Sequence, residues 1–280
     1  MIFKKFKPSN SSLRHLKLLK KEKGFSLNSP LKNKTFFKKN FGGRNNQGTI
    51  TIFQKGGGSK KLIRQIDFLR NNIKGVVEKI EYDPNRTSFI SRVFDHNLNY
   101  HFYILATANL KRGDYIQSGK NSPLKEGNSL PIYNIPIGFL IHNISIRPKF
   151  KGQLIRSAGT VGQLVQKDKK YARIKLPSGE QRLVLIENTA TLGSLSNSNH
   201  RYVVDGKAGR SRWKNKRPNV RGVAMNPIDH PHGGGEGKTS GGRPSVTPWG
   251  KPTKGQPTSK FKKNRFYILI SSKNKKLKKI

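Results

Sequence analysis

Uncompensated positive charge is the feature that most limits what this chain can fold into. Lys and Arg number 57 against 14 Asp and Glu, a formal net charge of +43 over 280 residues. A compact body with that charge repels itself unless a polyanion neutralises it, so nucleic acid is the expected partner and a membrane surface the weaker one. The excess sits at the ends. Residues 1–44 hold 13 cations and one acid, residues 201–280 hold 21 and three, and the stretch between them holds 23 and ten. That division predicts a folded middle with a basic arm on either side. Hydrophobic residues are only 32% of the chain, so the arms are expected to be irregular, or ordered on a partner.

The chain has no cysteine, which removes disulfides, cysteine-based zinc ribbons and thiol nucleophiles together. Its longest apolar runs, such as "IPIGFLI" (135–141), are too short to span a bilayer. The opening "MIFKKFKPSN" lacks the apolar core of a signal peptide, so neither a membrane span nor a leader is expected.

The middle reads as β. "GVVEKIEY" (75–82), "TSFISRVF" (87–94) and "YHFYILA" (100–106) are short and rich in β-branched and aromatic residues, with "DPNR" and "DHNLN" as turns between them. With "GDYIQSG" (113–119) they predict a small OB-fold-like barrel. The pattern restarts in "IPIGFLIHNI" (135–144), "VGQLVQ" (161–166), "YARIKL" (171–176) and "QRLVLI" (181–186). In "YARIKL" a period of two places Ala172, Ile174 and Leu176 on one face and Tyr171, Arg173 and Lys175 on the other, the mark of a half-buried strand. Helix signal is poor throughout, leaving room for no more than a short turn near 189–196. The fold class is therefore mainly β: an OB-fold-like barrel followed by an SH3-like barrel, with long irregular basic extensions. The boundaries expected are 1–44 for the N-terminal arm, 45–125 and 126–200 for the two RNA-binding barrels, and 201–280 for the Gly/Pro-rich C-terminal extension.

"MNPIDHPHGGGEGKTSGG" (225–242) carries the residues most suggestive of catalysis. A phosphate-binding loop needs a glycine five residues before Gly237-Lys238-Thr239, and position 232 is His. Pro227 and Pro231 also break the strand that should lead into it. His230 and His232 flank a proline and have no second pair to complete a metal site. Asp229 and His230, adjacent on an extended chain, point apart and make a poor acid–base pair. A nucleotide- or metal-dependent hydrolase built on 225–242 is thus the alternative reading, and a turn whose imidazoles hydrogen-bond RNA or backbone the preferred one.

Cations carry the stronger chemistry. "AGRSRWKNKRPNVRG" (208–222) sets Arg210, Arg212, Arg217 and Arg221 around Trp213 without one acid. Guanidinium groups hold phosphate in two-pronged fashion and an indole stacks on a splayed base. "FFKKNFGGRNNQG" (36–48) adds Arg44, and "GGGSKKLIRQIDF" (56–68) adds Lys60, Lys61 and Arg64, with glycine N–H groups expected to approach phosphates. Arg86 and Arg156 each sit at a turn between strands, and Lys238 closes the glycine loop.

These segments together resemble one family. "GGRNNQGTIT", "EYDPNR", "GNSLPIYNIPIG", "KGQLIRSAGT", "GKAGRSRW" and above all "RPNVRGVAMNPIDHPHGGGEG" occur here in the order found in the large-subunit ribosomal protein L-two family, over roughly residues 6–270. The chain departs from that pattern at Ser59, where the family shows His, and in "RPKFKGQL", bulkier than the family's glycine-rich run. The resemblance implies arms threaded into large-subunit rRNA, support of the peptidyl-transferase region, and subunit association. It places Arg86 and Arg156 where the family grips rRNA and His230 near the peptidyl-transferase centre. Partners implied are that rRNA, other ribosomal proteins and the small subunit. No catalysis and no cofactor of its own are expected, any magnesium being shared with rRNA. The 39 Lys against 18 Arg and the 24 Asn match A+T-rich coding and point to a mitochondrion, with a plastid or a bacterial cytoplasm as the alternative.

Overall fold

The computed structural model describes residues 3–20, 25–26, 30–237, 239–256 and 267–270. The chain divides into two compact units, one of Met1–Lys39, Lys60–Lys207 and Asn264–Ile280, the other of Asn40–Ser59 and Ala208–Lys263. The first holds both barrels.

In the first barrel, Lys74–Glu81 pairs antiparallel with Ile90–Asp95, which pairs with Tyr100–Leu105. Tyr115–Gln117 closes on Lys74–Val76, and Phe25–Ser26 joins the other end in parallel. Both turns are built on a buried aspartate. Asp83 accepts the Asn85 N–H at 2.8 Å, and Asp95 accepts the Asn97 N–H at 2.9 Å; a side chain mimicking a turn in this way is why "DPNR" and "DHNLN" reverse the chain. The second strand begins at Ile90, three residues later than its composition predicts. Thr87 and Phe89 are drawn off the ladder, Thr87 by Ala158 and Asn197 and Phe89 by Ser196.

Tyr100–Leu105 is covered on both sides. Phe102 and Ile104 pack with Ile73, Val77, Val93 and Ile116, while Tyr103 and Leu105 pack with Ile66, Ile90 and Leu195. Tyr103 needs a partner for its buried hydroxyl. It donates to the buried Glu81 at 2.9 Å and accepts the Leu31 N–H at 2.9 Å. Burial and the neighbouring Glu81 push this phenol up to about 12.

The second barrel is a seven-stranded sheet in the spatial order Ser129–Pro131, Thr189–Leu192, Leu140–His142, Gly162–Lys167, Tyr171–Lys175, Gln181–Leu185, Ile268–Ile270. The period of two holds: Ala172 and Ile174 are fully buried with Leu176 packed against the same core, and Lys175 is exposed. Two expectations fail here. Residues 135–144 are not one strand: Ile135 anchors in the core, Gly138 turns the chain at φ +91°, and only Leu140–His142 joins the sheet. An apolar run cannot reveal such a break. Nor is 189–196 a turn. Thr189–Leu192 runs between two neighbouring strands with Ala190 and Leu192 in the core.

The basic N-terminal segment has more local order than its composition predicts. Phe3–Lys4 pairs with Leu18–Leu19, and a one-turn helix, Ser11–Arg14, is capped by the Asn10 side chain, which accepts the Leu13 N–H at 3.0 Å.

The second barrel also buries titratable groups. His142 is fully enclosed, with Nδ1 donating to the Gly193 carbonyl at 2.9 Å. Burial first, then the charge of the equally buried Arg70, depresses this imidazole to about 4. Arg70 itself reaches Thr191 Oγ1 at 3.5 Å, and burial lowers it to about 10 despite Asp67.

Two outcomes follow. Tyr103→Phe leaves a buried carboxylate and a backbone N–H without their shared partner, and should cost roughly 1–3 kcal/mol in urea unfolding of the full chain. For His142 the folded value lies below the unfolded one, so the unfolded chain takes the proton first. Its contribution is complete above about pH 6.5, drains away as the pH falls, and is gone near pH 4, a loss of roughly 3 kcal/mol. His142→Leu should flatten that part of the stability–pH curve.

Candidate RNA interface

In the first unit an open cleft of about 810 Å³ is lined by Phe68, Asn85, Arg86, Ile155, Arg156 and Pro177, among others. Phe68 is the centre of a two-guanidinium arrangement: the Arg86 Cζ lies 5.6 Å and the Arg156 Cζ 4.8 Å from its ring centroid. Each cation is held by the ring's electron-rich face. Arg86 is further fixed by Asp83, whose Oδ2 accepts its Nε at 2.6 Å. Because that bond uses one edge of the guanidinium, the terminal nitrogens remain for a second anion.

Arg156 has no carboxylate. Its Nη1 donates to the Gly152 carbonyl at 3.3 Å, and no described acid lies within ion-pair distance. Partial burial first, then the charge of Arg86, pushes it below the usual arginine range. Two like charges face one cleft with a single acid between them, an arrangement that an incoming phosphate relieves. The backbone preceding Arg156 is strained: Ile155 sits at φ +55°, a region β-branched residues avoid. Strain of that kind gathers where a side chain must be aimed. Sequence reasoning reaches Arg86 and Arg156 but passes over Phe68, whose place in the chain reads as ordinary core, and sees in Asp83 only a turn former.

The second unit brings Asn40–Ser59 together with the segment after Ala208. Ala208–Trp213 is a short helix, where the composition predicts irregular chain. Arg44, Arg212, Arg217 and Arg221 are exposed, and none pairs with a described carboxylate. Trp213 is half exposed, with the Arg210 Cζ 5.9 Å from its ring. The glycine run does not behave as expected. The Gly56 N–H is taken by the Asn215 carbonyl at 3.2 Å and the Ser59 N–H by the Trp213 carbonyl at 3.1 Å, so these two donors brace the helix's end and are not offered to phosphates. Lys60, Lys61 and Arg64 belong to the first unit. Lys60 is exposed and Lys61 half-buried, while Arg64 bonds back to the Leu62 carbonyl at 3.2 Å. Lys238 lies outside the described residues.

The histidine loop packs on itself. A Cβ at Gly233 would stand 2.3 Å from the Asn226 carbonyl, and one at Gly222 would stand 2.4 Å from the His230 ring. Glycine is therefore required by the loop's own close packing, and not only by the approach of RNA backbone expected from sequence. His230 is buried, with its ring stacked on His232 at 5.1 Å. Its Nδ1 accepts the His232 N–H at 3.0 Å, and His232 Nε2 accepts the Val246 N–H at 3.0 Å. Both imidazoles thus serve as acceptors for backbone.

Comparison with known proteins agrees with this arrangement. Residues 32–118 match the family model for Ribosomal Proteins L2, RNA binding N-terminal domain, and residues 125–250 match that for Ribosomal Proteins L2, C-terminal domain. The chain is 51% identical to large ribosomal subunit protein uL2m of Reclinomonas americana, over 98% of this chain and 99% of that one. It is 51% identical to large ribosomal subunit protein uL2 of Rickettsia africae, over 98% and 100%, and 50% identical to that of Rhodospirillum centenum, over 96% and 98%. Two domain models in tandem and half-identity along nearly the whole length leave one assignment: the chain belongs to the ribosomal protein L2 family.

Proposed function

We propose that this chain is a structural, non-catalytic constituent of the large subunit of a mitochondrial ribosome, where it binds large-subunit rRNA. The observation that carries the reading is the Arg86–Phe68–Arg156 cleft: two aimed guanidiniums, one of them without an acid, around an aromatic face. A phosphate seated there completes the valence of both arginines, and the ring offers a stacking surface beside it. The exposed arginines of the second unit extend the cationic surface. Family membership supports a place in the ribosome, in contact with other ribosomal proteins. The mitochondrial relative and the Lys- and Asn-rich composition support the compartment. The nearness of His230 to the peptidyl-transferase centre, the meeting with the small subunit, and any magnesium shared with rRNA are parts of the same proposal.

The loop chemistry favours a scaffold over a hydrolase. A metal or a proton-accepting role would need lone pairs on His230 Nδ1 or His232 Nε2, and both are engaged by backbone N–H groups. Among the described residues no helix is long and apolar enough to cross a membrane.

The two arginines of the cleft separate by their partners. Arg156→Ala removes a cation with no carboxylate partner, so rRNA-fragment affinity should fall by about one to two orders of magnitude, with a loss of stability smaller than that of Arg86→Ala. Arg86→Ala also strands the buried Asp83 and should lower stability by roughly 3 kcal/mol as well as affinity. Filter binding and thermal unfolding on the full chain read both, and unchanged affinity in Arg156→Ala would falsify the cleft as an rRNA site. Replacing Arg212, Arg217 and Arg221 together by Gln should flatten the slope of log affinity against log salt by about 2, at ~0.7 for each single-strand phosphate that is no longer neutralised.

A further inference from the structure

The second unit contains a separate cavity of about 810 Å³, a size in the ~300–1,000 Å³ range of small-ligand sites. Its walls are mainly apolar: Ile50, Phe53, Val220, Met225 and Val246. Arg44, Lys55, Arg217 and Arg221 contribute four cations, and Asp229 is the acid among the residues lining it. An apolar hollow beside a band of unpaired cations suits neither a bare anion nor a hydrocarbon. It fits a group that is flat and apolar on its faces and tethered to phosphate.

His230 supplies the polar group. It also lines the cavity, and its Nδ1 is occupied by the His232 N–H. An imidazole that accepts at Nδ1 carries its proton at Nε2. Among the described residues no second hydrogen bond reaches the ring. The close approach of Gly222 holds it in place. The ring therefore offers a hydrogen-bond donor of settled tautomer, and Asp229 offers an acceptor beside it.

We propose that this cavity receives a single nucleotide unstacked from RNA. The base lies between the apolar walls with one edge acceptor on the His230 Nε2–H, and the flanking phosphates lie on Arg44, Lys55, Arg217 and Arg221. The inference rests on the RNA-binding reading above and adds to it the class of ligand that this cavity takes. Recognition of splayed bases by apolar or aromatic surfaces flanked by guanidiniums is the common chemistry of single-stranded RNA sites. In this account His230 is a positioning donor and exchanges no proton with the ligand.

Zero-length ultraviolet cross-linking tests it. The full chain, bound to transcribed large-subunit rRNA, is irradiated and its nucleotide adducts are mapped by mass spectrometry. The expected result is adducts on Phe53, Met225 or His230. Val220→Trp, on an exposed loop position, fills the cavity without altering charge and should lower their yield by about tenfold while adducts around Phe68 persist. Val220→Phe, a milder filling, should give the same loss in smaller degree. The proposal is overturned if adducts form at Phe68 and none at the cavity, or if cavity adducts survive both fillings. Absence of binding and of adducts everywhere would instead remove the RNA-binding reading on which it stands.

Discussion

The arrangement of this protein depends on where its few acids are used. Three ion pairs between Arg and carboxylates join described residues, and all lie in the first barrel: Asp83 with Arg86, and Glu78 and Glu81 with Arg92. Asp83 and Glu81 are buried and also serve turns or hydroxyls. A buried carboxylate left alone is costly, so each must hold a cation or a donor. With these carboxylates committed inside the barrel, Arg44, Arg156, Arg212, Arg217 and Arg221 pair with no described acid. The surface that results is a demand for external anion, concentrated where guanidiniums are geometrically fixed.

That logic explains why a neutral imidazole appears where a charged one would be ruinous. His142 sits in a barrel core near Arg70, and burial together with that positive neighbour holds it unprotonated. In the second unit, His230 and His232 accept backbone N–H groups. A small unit with few apolar residues has little regular ladder to satisfy its main chain, and each buried N–H must find an acceptor. Carboxylates would do so, but at the expense of the positive field. Neutral imidazoles do so without it.

The sequence was legible where a local rule has one outcome. Alternation in "YARIKL" could only bury Ala172 and Ile174 together, and an acid-free run of arginines could only face outward or toward an anion. It was opaque where the deciding atoms lie far along the chain. Thr189–Leu192 is a strand because Leu140–His142 and Ser129–Pro131 flank it, which a four-residue stretch cannot announce. Gly56 spends its N–H on Asn215, and Phe68 receives Arg86 and Arg156, pairings set by tertiary approach over many residues. The histidine loop was half legible. The chemistry of its side chains could be weighed, but the hydrogen bonds that engage one nitrogen of each ring could not be read from spacing.

The loop also shows how close backbone packing selects residue types that an enzyme motif would share. Glycine appears because the chain folds back on its own carbonyls, as at Gly233 over Asn226. Histidine appears because a flat neutral acceptor fits where the chain turns at Pro231. Each residue type is one that a catalytic site would also select, since both tasks need close backbone approach and directed hydrogen bonds. What separates them is the state of the lone pairs. In an acid–base or metal site the nitrogen is held ready by a neighbour and left open toward substrate or ion. Here Nδ1 of His230 is the nitrogen that is closed, and the protonated edge is the one that remains. A ring in that state donates to an acceptor, and folded RNA presents acceptors on its phosphates, its 2′-hydroxyls and its base edges. The same bond that closes one nitrogen of the ring fixes the other as a donor.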